Sequence, residues 1–115
     1  MLYEERGRGI VMMPGQRIHI VPLPEKSEKP FQSRVVATVT EPEQLRSAYK
    51  SGEWNDFRIV ADGNKLRHYL NGVLAAEVVD DDSARARSSG VIALQLHTGP
   101  PMTVQFKDLR LKPLP

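Results

Sequence analysis

The chain has 115 residues, 40% hydrophobic and 26% charged, a composition that reads as one soluble globular domain with a thin core. Its 16 basic and 14 acidic residues are interspersed, with no run of Lys or Arg longer than two, which argues against a nucleic-acid partner. The absence of cysteine excludes disulfides and thiolate metal sites, and no apolar run approaches the roughly 20 residues of a membrane span.

The N-terminal stretch MLYEERGRGIVMMPG lacks the shape of a signal peptide, because its short apolar run follows charges of both signs; the compartment stays open. From there the dominant hydrophobic period is two. RIHIV at 17–21 predicts a strand in which His19, between Ile18 and Ile20, points outward to water. VPLPEKSEKP at 21–30 holds three prolines and predicts an extended loop, followed by a strand over RVVATV at 34–39. TEPEQLRSAY at 40–49 predicts a helical turn in which Thr40 caps, Pro42 takes an early helical position and Glu43 completes a capping box. Trp54 and Asn55 read as architectural, an indole over a sheet edge and an amide setting a strand entry.

DFRIVA at 56–61, KLRHYL at 65–70 and VLAAEVV at 73–79 predict a three-stranded meander. Its turns are Asp62-Gly63-Asn64 and Asn71-Gly72, the latter a type I′ pair that supplies positive φ at both central positions. DDDSARARSSG at 80–90 predicts a second short turn, acidic at its start and carrying Arg85 and Arg87 near its end, as a helix dipole prefers. GVIALQLH at 90–97 predicts a further strand with Ile92, Leu94 and Leu96 on one face and Gln95 and His97 on the other, stopped by Pro100 and Pro101. MTVQFKDLRL at 102–111 predicts the last strand, with a bulge near Lys107-Asp108 where the apolar parity changes from Val104 and Phe106 to Leu109 and Leu111.

The blocks GEWN at 52–55, GNKLRHYLNG at 63–72, GVIALQLHTGPP at 90–101 and VQFKDLRLK at 104–112 resemble, in that order, motifs of the 3-keto-disaccharide hydrolase family. The resemblance is strong over 51–114 and continues more weakly upstream over LYEERGRGIVMMPGQ. It implies an all-β fold, an antiparallel concanavalin A-like or jelly-roll sandwich. Residues 1–115 would form a single domain that lacks the family's preceding strands. Relatives of this kind are often exported or periplasmic.

The resemblance also implies cleavage of glycosides that carry a ketone at C3. The ketone acidifies the C2 hydrogen, so a base removes that proton while an electrophile or metal stabilises the enolate, and the C1 substituent leaves by elimination. Addition of water completes a net hydrolysis, and the paired carboxylates of ordinary glycosidases are not required. Two other readings stand beside it. One is a non-catalytic, lectin-like carbohydrate-binding module, since fold does not decide function. The other is a chain that completes its sheet with a second copy through open edges, as a homo-oligomer. The partner expected throughout is a carbohydrate, with neither nucleic acid nor membrane.

On the enzymatic reading His97 is the first candidate, for acid/base work or as ligand to a divalent metal ion shared with distant carboxylates, and Gln95 beside it is a substrate contact; by parity alone His97 also suits a wet surface. With Asn71-Gly72 as the turn, Leu70 faces Val73, His68 faces Ala75 and Leu66 faces Glu77, placing Glu77 diagonally from His68 at about 7 to 8 Å. The pair reads as a base with its orienting carboxylate, or His68 as a structural histidine between Leu66 and Leu70 on a core face. Tyr3, Glu4 and Arg8, clustered with Glu5 and Arg6, either reach a sugar through hydrogen bonds or form a solvated charge run. The three histidines lack the short spacing of a compact metal-ligand set.

Overall fold

A computed structural model of the chain describes residues 2–4, 7–29, 31–95 and 98–115. Among them run β1 (Leu2–Glu4), β2 (Gly9–Met12), β3 (Gln16–Pro22), β4 (Phe31–Thr38), α1 (Pro42–Ala48), β5 (Phe57–Asp62), β6 (Lys65–Leu70) and β7 (Val73–Asp80). β1 and β2 pair with each other, and the remaining strands form one five-stranded sheet in the order β4-β3-β7-β6-β5. The all-β expectation holds, and β3 to β7 lie where the alternation predicted them. The β1–β2 hairpin was not predicted, because its apolar residues at 10–13 are contiguous rather than alternating.

One pairing departs from an antiparallel sheet. β7 runs parallel to β3, the geometry that results when a long connection through β4, α1 and the meander brings the chain back alongside its starting strand. Ile18 and Ile20 of β3 and Ala76 and Val78 of β7 share one face of the sheet, and Val11 and Met12 of β2 cover it to make the core. Towards β5 the same face is uncovered, and Phe57 and Ile59 are exposed. The opposite face points outward and carries Arg17, His19, Arg67 and Glu77.

The turns follow their chemistry. Asn71 and Gly72 take φ of 48° and 83°, the positive pair a type I′ turn needs, and Gly63 turns β5 into β6 at φ 57°. The short turn after β7 forms as the backbone N–H groups of Arg85 and Ala86 donate to the Asp82 carbonyl at 3.0 and 2.9 Å. The helix forms with Pro42 in its first turn, but the predicted capping box does not, and Glu41 is the N-cap residue. The Thr40 hydroxyl is buried and donates instead to the Leu74 carbonyl at 2.6 Å, while Glu43 pairs with Arg46 one turn on. A buried hydroxyl goes where it finds an acceptor, and here a strand carbonyl reaches it first.

The two C-terminal strands predicted at 90–97 and 102–111 are not formed among the described residues, which take no regular secondary structure after β7. Alternation states which face a strand would bury, but a strand exists only when a neighbouring edge accepts its backbone hydrogen bonds, and neither β4 nor β5 does so here. Val91, Ile92, Val104, Phe106, Leu109 and Leu111 are consequently exposed. Asp108 nonetheless takes φ of 53°, a kink at the place where the apolar parity changes.

Candidate functional site

The site begins with a bulge. β6 pairs with β7 through Leu70↔Val73 and Tyr69↔Leu74, and then through His68↔Ala76, Arg67↔Glu77 and Leu66↔Val78, so Ala75 is the extra residue. Its carbonyl accepts the Gly15 N–H at 2.7 Å, which fixes the bulge against the turn before β3. A one-residue offset moves every later side chain to the other face. The predicted meeting of His68 with Glu77 therefore does not occur: His68 lies on the core face and Glu77 on the outward one.

Glu77 sits between two guanidinium groups, with Arg17 Nε at 2.5 Å and Arg67 Nε at 2.9 Å. The hydrogen bond from Arg67 holds its carboxyl below the usual carboxylate range, Arg17 adds to this, and partial burial opposes it. Glu77 is thus a fixed anion that orients two arginines. Neither arginine partner was anticipated, although Arg17 shares with His19 the outward parity of its strand.

His68 is half-buried at the uncovered end of the core face, where its ring meets the ring of Phe57 edge-on at 5.8 Å between centroids. Burial pushes its pKa down, because desolvation disfavours the imidazolium, so the ring is neutral at neutral pH. Its nitrogens make no hydrogen bond among the described residues. A neutral imidazole beside an open apolar surface can accept a proton from a molecule bound there.

Arg8 and Glu4 are committed elsewhere. Arg8, with a side chain only 4% exposed, donates from Nε and Nη2 to Glu4 at 2.9 and 2.6 Å and from Nη1 and Nη2 to Asp80 at 2.9 and 2.6 Å. Asp82 is fully buried 3.6 Å from the same guanidinium and accepts from Arg85 at 3.1 Å. Foremost the Arg8 hydrogen bond holds the Glu4 carboxyl below the carboxylate range, and Arg8 itself is pushed up by Glu4 and Asp80. This is an internal ionic network rather than a sugar-facing cluster. Its sequence mark is the acidic triplet Asp80-Asp81-Asp82 at the end of an apolar strand, too polar for the position unless cations meet it.

Tyr3 is half-exposed on β1, away from His68 and Glu77 in the strand pairing. Gln95 is exposed in the C-terminal segment without regular structure. His97, Glu5 and Arg6 lie outside the described residues. His19 points outward as expected, its Nε2 2.6 Å from Asp81 Oδ2. Asn55 and Asn71 are architectural: Asn71 Nδ2 donates to the Ala48 carbonyl and to Asn55 Oδ1, while Asn55 Nδ2 donates to the Lys50 and Glu53 carbonyls. Trp54 is half-exposed with the Lys107 ammonium 4.2 Å above its ring.

Among the described residues no three His, Asp or Glu side chains are grouped to hold a metal ion. The carboxylates that do gather, Asp80 and Asp82, are occupied by Arg8 and Arg85. No helix among these residues is long and apolar enough to cross a membrane. In comparisons with known proteins, residues 3–112 match the family model described as the 3-keto-alpha-glucoside-1,2-lyase-like domain. No match was found among curated proteins or among solved structures.

Proposed function

Because the chain belongs to the 3-keto-alpha-glucoside-1,2-lyase-like domain family, we propose that it cleaves glycosides already oxidised to a ketone at C3. The family match over nearly the whole chain carries this reading, and the neutral imidazole of His68, whose nitrogens make no hydrogen bond among the described residues, supports it. His68 takes the C2 proton of the sugar. The electron pair released forms the C1–C2 double bond as the C1–oxygen bond breaks, and the aglycone leaves as an alcohol once its oxygen is protonated. Water then adds across the resulting enone. His97 is the second candidate for proton transfer, with Gln95 beside it as a sugar contact.

The test is aglycone release from a nitrophenyl 3-keto-glucoside above its spontaneous rate. Release is expected from the native chain and is expected to fall about 100-fold or more in His68→Ala, the usual contribution of a positioned base. The rate should also decline with acid, but only as pH falls through the lowered value of His68, beneath the ordinary histidine pKa near 6.5, because a protonated ring accepts nothing. A His97→Ala companion separates the two histidines: full activity in His68→Ala with loss in His97→Ala transfers the role of base to His97. No release from folded protein, together with saturable binding of the unoxidised glucoside, would replace the enzyme with a lectin-like module.

A further inference from the structure

The outward face of the five-stranded sheet concentrates positive charge. Its registers set Arg34, His19, Val79, Lys65 and Asp62 in one row, Arg17, Glu77, Arg67 and Val60 in the next, and Tyr69 and Arg58 in a third. Arg17, Arg34, Arg58, Lys65 and Arg67 outnumber the three carboxylates found there among the described residues, Asp62, Glu77 and Asp81, and Asp81 is held by His19 and Asn64 rather than by any of the five cations.

Most of the donors on this face are unused. Arg17 and Arg67 turn only Nε toward Glu77, and their terminal nitrogens make no hydrogen bond among the described residues. The Arg58 guanidinium carbon sits over the Tyr69 ring, 4.3 Å from its centroid, and Arg34 spends Nε alone on Gln32. Glu77 thus offsets one of the two charges of Arg17 and Arg67, while Tyr69 holds Arg58 without a counter-charge. The backbones of Arg17 and Arg67 stand two strands apart, about 10 Å, and their guanidinium groups converge on the one Glu77 carboxylate, with Arg58 and Lys65 in the neighbouring rows.

We propose that this face binds an acidic glycan, one bearing carboxylate or sulfate groups, through guanidinium–oxyanion pairs. Such pairs are bidentate and charge-assisted, which suits planar carboxylates and tetrahedral sulfates alike. A glycan fits better than a nucleic acid because Tyr69, the aromatic ring of this face, is already covered by Arg58, leaving no ring here on which a base can stack. The site is separate from His68, which lies on the other face, and the bound glycan need carry no 3-ketone.

Calorimetric titration of the full chain at low salt with oligogalacturonate, with a sulfated dextran, with neutral maltohexaose and with a short single-stranded DNA tests the proposal. Binding is expected for one or both acidic glycans, the two arms telling carboxylate from sulfate preference, and not for maltohexaose. It should weaken about tenfold or more when ionic strength is raised from about 0.02 to about 0.2 M, as exposed charges are screened. The double variant Arg58→Ala/Lys65→Ala removes two exposed cations that bear no ion pair among the described residues and should lose about tenfold in affinity, whereas Lys112→Gln in the C-terminal segment should lose none. No binding to either acidic glycan, equal binding to maltohexaose, equal losses in both variants, or DNA bound as tightly as the best glycan would each overturn it. Since no 3-keto sugar is used, the outcome is independent of whether the chain cleaves one.

Discussion

At the scale of single residues, Arg8 decides the most. Its guanidinium is almost completely removed from water and bridges Glu4 to Asp80, with the fully buried Asp82 behind. Removing the cation would leave the buried carboxylates of Asp80 and Asp82 without it, and breaking a buried pair from one side typically costs about 3 to 5 kcal/mol. Arg8→Met is therefore expected to lower the unfolding free energy by about 3 kcal/mol or more in urea titration. Arg8→Lys should fall between, because an ammonium is a point charge that cannot fork onto two carboxylates at once. A loss below about 1 kcal/mol in Arg8→Met would mean that the network is solvated and Arg8 is free for a ligand. The sequence shows this arginine among charges of both signs near a chain end, where solvated side chains are the rule; only its distance in space from Asp80, 72 positions on, reveals the burial.

At the scale of elements, Gly15 ties the turn before β3 to the rest of the sheet. Its N–H donates to the Ala75 carbonyl at 2.7 Å, its carbonyl accepts from the Val39 and Thr40 N–H groups at 2.8 and 3.4 Å, and it does so at φ 85°. A β-carbon there would lie 2.6 Å from the Thr40 carbonyl oxygen, which is backbone and cannot step aside. Gly15→Ala is thus expected to cost about 1 to 3 kcal/mol, strain from the left-handed backbone being joined by steric overlap. The same variant should loosen the Ala75 bulge, visible as faster amide exchange at residues 73–77. Unchanged exchange with unchanged stability would show that the bulge does not depend on Gly15. This contact explains what the sequence could show of the meander. Alternation and Asn71-Gly72 reveal the strands and their turn, because both are local. The bulge falls between Ala75 and Ala76, two residues alike in size and polarity, so nothing in the pattern marks it. His68 and Glu77 were therefore read onto one face and lie on opposite ones.

At the scale of the whole molecule, the strands legible in the sequence are those that find a neighbour, and the equally regular alternation after residue 90 finds none among the described residues. What the chain as a whole does with acid can be derived from its shifted groups. His68 is lowered by burial, so protonating it opposes folding: its contribution is intact above the ordinary histidine pKa near 6.5 and is lost as pH falls from there through the folded value. Glu4 and Glu77 are lowered mainly by Arg8 and Arg67, so their contribution is intact above the ordinary carboxylate pKa near 4.3 and is lost as pH falls through their folded values. Both signs point the same way but act in separate windows. Urea midpoints measured from pH 8 downward should hold level to about 7, decline gently below about 6.5 and fall more steeply below about 4.3. His68→Gln, which cannot titrate, should erase the first decline and keep the second, while Glu77→Gln should blunt only the second. A first decline that survives His68→Gln would place its source in another histidine and leave His68 exposed enough to charge without cost.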